Sequence, residues 1–101
     1  MMEQITASEL QTQLNTKQNI IIIDVRESWE YEEQQLHPSS QNIPLGNLPQ
    51  SLGQISDLKN TPFVVHCRSG IRSNQAQKYL VKNGFTQVIN LVGGFEAYMS
   101  L

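Results

Sequence analysis

With 101 residues, 39% of them apolar and 16% charged, the chain has the size and composition of one globular domain spanning 1–101, able to bury a core without disulfides or metal. Its formal net charge of −2 offers no bulk attraction to nucleic acid, and its longest unbroken apolar run, Ile20 to Ile23, is far too short to span a membrane. One cysteine, Cys67, excludes an internal disulfide, a CxxC redox pair and a zinc cluster, and it suits a reduced, cytoplasmic setting; with no basic stretch leading into an apolar one at the N-terminus, no secretory signal is expected.

Thr6 and Glu9 have the spacing of a capping box, with Ile5 and Leu10 at the staple positions, so a helix is predicted to start there. Asn15 to Asn19 reads as a polar turn. Ile20 to Asp24 fits a strand buried on both faces, as in a parallel sheet. Residues 28 to 36 suit a short helix with Glu30, Glu32 and Glu33 towards its positive end, anchored by Trp29 and Leu36 and with its glutamates on a solvated face. Asn42 to Leu45 allows only a short strand, because Pro44 has no N–H for a ladder. Leu48, Leu52 and Ile55 recur at helical spacing, with Pro49 tolerated in a first turn.

Phe63 to His66 is a second buried strand, and residues 71 to 82 form the longest predicted helix, with Ile71, Ala76, Tyr79 and Leu80 on its inner face. Asn83-Gly84 is a helix stop, Gln87 to Val92 a further strand, Gly93-Gly94 a turn, and Phe95, Tyr98 and Met99 pattern a last short helix. Strands alternating with helices predict an α/β fold with a parallel sheet covered on both faces. Ligands in such sheets bind outside the C-terminal strand edge, where both Asp24 to Glu27 and Cys67 to Arg72 fall.

Cys67 stands between a strand and a helix N-terminus, where unpaired N–H groups and partial positive charge favour a thiolate. Gly70 permits the backbone angles of an anion-binding nest, and Arg68 and Arg72 add a local positive spot. The expected result is a depressed Cys67 pKa and a cradle for an oxyanion or a persulfide. The alternative is an inert buried cysteine, for which two arginines are poor neighbours.

Cys67-Arg68-Ser69-Gly70-Ile71-Arg72-Ser73 resembles the active-site loop of rhodanese-like sulfurtransferases. Ile23 to Glu27 with Trp29 to Glu32, Asn42 to Leu45, and Asn90 to Phe95 resemble further blocks of that family, in its order and spacing. The resemblance implies a three-layer fold, with a central parallel sheet of about five strands and helices on both faces. It implies that Cys67 is the nucleophile and carries a sulfane sulfur as a persulfide. It further implies that the loop Arg68, Ser69, Gly70, Ile71 and Arg72 binds the substrate, the two arginine side chains orienting the donor's anionic end. The donor would be thiosulfate or a related compound and the acceptor a thiophile such as cyanide or a thiol; a protein thiol or a cysteine desulfurase are further partners, with no metal, cofactor, nucleic acid or membrane. Phosphatases of similar fold have five residues between cysteine and arginine, whereas four separate Cys67 from Arg72. The sequence departs from the family pattern at Gln34 to Gln41, which lacks a glycine, and after Gly94, where a tryptophan is missing and Tyr98 is the candidate to fill its place.

Other residues near this edge have simpler readings. Asp24 and Arg26 are expected to cap backbone and form a structural ion pair, His66 to be a structural histidine facing away from Cys67, and His37 a solvated loop residue. Ser69 and Ser73 are placed to donate to the sulfur, and Ser73 equally suits an early helix turn. Two other functions remain open on sequence alone: a Cys-dependent phosphatase, and a non-catalytic regulatory or binding module of the same fold.

Overall fold

The computed structural model describes residues 3–16 and 19–101. Five strands form one parallel sheet in the order β1-β5-β4-β2-β3, with β1 Glu3–Ile5, β2 Ile22–Asp24, β3 Ser40–Asn42, β4 Phe63–His66 and β5 Val88–Leu91. The helices are α1 Ala7–Asn15, α2 Ser28–Glu33, α3 Leu48–Ser51, α4 Ile71–Lys82 and α5 Gly94–Met99, with 3-10 segments at Leu45–Asn47 and Leu52–Leu58. No helix among the described residues is long and apolar enough to cross a membrane.

Alternation along the strands divides the core in two. Ile23, Phe63, Val65 and Val88 pack with Leu48, Ile55, Ala76 and Leu80 under α3 and α4. Ile22, Val64 and Leu91 face the other way, towards Leu10, Leu36 and Phe95. The chain therefore leaves β2 and β4, neighbours at the sheet centre, towards opposite faces. That is a topological switch point, and it opens a crevice at their C-terminal ends.

The capping box forms, with Glu9 N–H donating to Thr6 Oγ1 at 3.1 Å and Thr6 N–H to Glu9 Oε1 at 2.9 Å. Phe63–His66 and Ile71–Lys82 have the predicted bounds, and Gly84 ends α4 at φ +97°. Lys17 and Gln18, part of the predicted polar turn, lie outside the described residues.

Three expectations are corrected, and one strand was not expected. Trp29 does not anchor α2: it is 58% exposed, while Glu30 on the same helix is buried. Ile71 is not on the inner face of α4 but 71% exposed, and Ser73 and Gln77 join Ala76 and Leu80 inside. The third strand stops at Asn42, before Pro44. The segment Glu3–Ile5 is an edge strand on β5, held there by the ladder and by Gln77 Nε2 donating to Glu3 O at 2.6 Å and Val88 O at 2.9 Å.

At the end of β2 lies a buried ion pair. Arg26 Nε and Nη2 reach Asp24 Oδ2 at 2.9 and 2.7 Å, Nη2 also donates to Gln34 O at 2.7 Å, and the guanidinium lies 4.2 Å from the centroid of the Phe95 ring. Asp24 Oδ1 accepts the Arg26 N–H at 2.9 Å, and Asn42 Nδ2 donates to the carbonyls of Asp24 and Arg26. The expected structural role of these two residues is what the geometry shows. Removing one partner strands a buried charge, so Asp24→Asn should lower the unfolding free energy by about 3–5 kcal/mol, measurable as an earlier urea midpoint at unchanged slope.

Candidate functional site

Cys67 follows the last residue of β4 and is 1% exposed, its side chain facing α4. Its Sγ accepts the Gly70 N–H at 3.0 Å and lies 3.4 Å from Ser73 Oγ. The thiol can donate to that hydroxyl while the hydroxyl donates to Gly70 O at 3.3 Å; after ionisation the hydroxyl can turn to donate to sulfur. Burial pushes the Cys67 pKa up, but the Ser73 hydroxyl and the N–H groups of Ser73, Gly70 and Ser69 outweigh it, leaving the thiol below its ordinary 9.0. The depression has the expected direction, with hydrogen bonds its leading favourable cause.

The loop owes its shape to two glycines. Gly70 has φ +116° and turns the chain into α4. Gly94, at φ +60°, lets the first turn of α5 close on the loop from behind: Phe95 N–H donates to Cys67 O at 2.8 Å and Glu96 N–H to Arg68 O at 3.0 Å. A Cβ at Gly94 would fall 2.5 Å from Cys67 O and 2.8 Å from Arg68 O.

His66 turns away from the thiol. Its Nδ1 lies 3.2 Å from the Cys67 carbonyl, which only accepts, so that nitrogen carries the proton; Nε2 is 3.7 Å from Asp24 Oδ2. Burial, outweighing the attraction of Asp24, holds its pKa below 6.5, so the ring is neutral and structural. His37 lines a cleft with Leu14, Asn19 and Ile20 at the opposite, N-terminal end of the strands. Arg68 and Ser69 are exposed and Gly70 is half-buried.

Arg72 does not face solvent as a free cation: its Nη2 donates to Glu30 Oε1 at 3.1 Å, and its Nη1 lies 3.1 Å from Glu30 Oε2. Glu30, expected on a solvated face, is instead buried beside the loop. Only its position in the first turn of a helix near the active edge hinted at this.

A buried cysteine sulfur held by a loop amide and a hydroxyl between a parallel strand and a helix defines a cysteine-loop α/β protein. The Rhodanese-like domain family model matches residues 6–101, and the chain belongs to that family. It is 31% identical over 98 residues to a sulfurtransferase of Allochromatium vinosum, covering 97% of this chain and 89% of that one. It is 35% identical over 86 residues to the thiosulfate sulfurtransferase GlpE of Coxiella burnetii, covering 85% and 78%. A crystal structure of a rhodanese-like domain protein from Staphylococcus aureus superposes with a TM-score of 0.84 at 30% identity, covering 96% and 91%.

Two substitutions probe the cradle. Ser73→Ala removes a donor to the thiolate, so the inflexion in the pH profile of Cys67 alkylation should move up from its wild-type position. Gly94→Ala combines positive φ with a clash against loop carbonyls and should cost at least about 2 kcal/mol in urea unfolding.

Proposed function

We propose that the chain is a sulfurtransferase, acting as one domain, that moves a sulfane sulfur from thiosulfate or a related donor to a thiophilic acceptor through a Cys67 persulfide. The observation that carries this reading is the convergence of the Gly70 N–H and the Ser73 hydroxyl on Sγ, with the Ser69 and Ser73 amides favouring its charge. Membership of the rhodanese-like family and relatives named as sulfurtransferases support it.

In the first half-reaction the Cys67 thiolate attacks the outer sulfur of thiosulfate. The sulfur–sulfur bond of the donor breaks, its electron pair leaves on sulfite, and Cys67 carries a terminal sulfur with one negative charge. Loop amides fixed before the reaction suit that charge without reorganising. In the second half-reaction cyanide or a thiolate attacks the terminal sulfur, taking it as thiocyanate or a persulfide, and Cys67 is again a thiolate. No proton needs to move, so the neutral His66 behind the loop is not required as a base. The backbone of Arg68, Ser69, Gly70, Ile71 and Arg72 forms the substrate-binding loop in this reading, Arg68 offering the exposed charge at its mouth.

Incubation with thiosulfate should add one sulfur to Cys67, seen by intact-mass spectrometry and removed by cyanide. Cys67→Ser should lose both the mass gain and turnover while keeping the wild-type circular dichroism spectrum. An unlabelled wild-type protein across thiosulfate, mercaptopyruvate and persulfide donors would refute the assignment.

A further inference from the structure

The sequence places two arginines beside Cys67, but the fold brings carboxylates to one of them, Arg72. Glu30 lies on α2, reached from β2, and Arg72 lies in the first turn of α4, reached from β4, so their pair bridges the mouth of the central crevice. Both carboxylate oxygens lie 3.1 Å from guanidinium nitrogens, a two-point arrangement. Glu30 is only 5% exposed and Arg72 31%. Oε2 has no hydrogen-bond partner among the described residues besides its ionic contact with Arg72. If Arg72 swung out to a ligand it would leave a buried carboxylate unpaired, which is costly enough to keep the pair closed. Exposed Glu27, at the N-cap of α2, also acts on Arg72. Among the described residues Arg68 makes no ion pair. The cations at the loop are therefore balanced by two carboxylates and, once ionised, by Cys67 itself.

We propose that Glu30 sets the charge preference of the Cys67 site: by holding Arg72 in a closed pair it withdraws that cation from donor binding and disfavours doubly charged reagents relative to those of lower charge. Glu30 is a positioning and specificity-determining residue acting through Arg72, not a catalytic one. For its effect on donors the proposal rests on the sulfur-transfer reading above; for its effect on the thiol it does not. The favoured donors are organic thiosulfonates and alkyl persulfides, which present the same outer sulfur with at most one negative charge nearby. Thiosulfate, a dianion, meets a closed ion pair where the sequence promised a free guanidinium.

The test compares wild type with Glu30→Gln, which keeps the side chain's shape and removes its charge. Cys67 is alkylated with iodoacetate, an anion, and with iodoacetamide, its neutral counterpart. The ratio of the two rates reports the local field and cancels changes in thiolate content. It should rise about three- to tenfold in the variant, less so in high salt. A ratio that is unchanged or lower overturns the proposal. A structural role alone would alter both rates together. Should Glu30→Gln fail to fold, Glu30→Met supplies an apolar side chain of similar length for the buried position, with the same expected ratio.

In the sulfur-transfer assay, KM for thiosulfate should fall more than KM for ethanethiosulfonate, a monoanion, with little change in kcat. An equal change for both donors counts against the proposal. If neither donor loads sulfur onto wild-type Cys67 while the alkylation ratio rises, the charge assignment stands and the sulfur-transfer reading falls.

Discussion

Two hydrogen bonds behind the loop govern the rest of the site. Phe95 and Glu96 give their N–H groups to the carbonyls of Cys67 and Arg68. These are first-turn donors of α5, with no partner inside their own helix. A peptide whose carbonyl is held outwards must point its amide elsewhere, and within a tight loop that direction is inwards, towards the sulfur. The two peptides held in this way carry the Arg68 and Ser69 N–H groups, and the Ser69 amide is one of those favouring the charged sulfur; the Gly70 N–H, in the next peptide, donates to Sγ at 3.0 Å. Gly94 makes the approach possible, because any side chain there would occupy the space of the carbonyls it serves. The Cys67 carbonyl takes a further bond from His66, so the peptide leaving the thiol residue is fixed twice. The Ser69 amide is thus oriented by a group that never touches the sulfur.

The buried pair of Asp24 and Arg26 belongs to the same arrangement. Its guanidinium covers Phe95, the residue whose N–H holds Cys67 O, and binds Gln34 O just beyond α2. A cation at this depth needs full satisfaction to be tolerated, and the Asp24 carboxylate, the Gln34 carbonyl and an aromatic face together provide it. The interaction joins the end of β2 to both α2 and α5. One helix carries the carboxylate that pairs with Arg72, and the other clamps the loop carbonyls. Loss of Asp24 should therefore loosen the site as well as lower stability.

What was legible in the sequence is what is encoded locally. Phe63–His66 is an unbroken apolar run ending in a histidine, and Ile71–Lys82 is closed by Asn83-Gly84, so both have their read bounds. The cradle around Cys67 spans only seven residues, and Ser73 and Gly70 could be placed near the sulfur by counting. Features decided at long range were not legible. β1 is a strand only because β5 and Gln77, more than seventy residues on, satisfy its backbone; Glu3-Gln4-Ile5 has no alternating pattern to announce it. In α2, six residues are too few to fix which face turns inwards, and Arg72, forty-two positions away, draws Glu30 in and leaves Trp29 out. Hydrophobicity alone points Ile71 inwards, yet the inner face there belongs to Ser73, which serves the sulfur.

The separation of amides from guanidinium groups carries a physical consequence. Amides oriented by the fold act over one hydrogen-bond length, do not move, and are little screened by salt. They favour negative charge on sulfur whichever molecule approaches. Side-chain charges at the mouth act further out and are sensitive to ionic strength. In the proposed transfer the amides serve the step common to every donor, while the balance among Arg68, Arg72, Glu27 and Glu30 discriminates between donors. Altering that balance leaves the Gly70 contact to the sulfur in place, so selectivity in this fold can change by one carboxylate without rebuilding the nucleophile. Two arginines beside a cysteine do not by themselves make an oxyanion site: the charge that counts is the one left after the fold has paired Arg72 with Glu30.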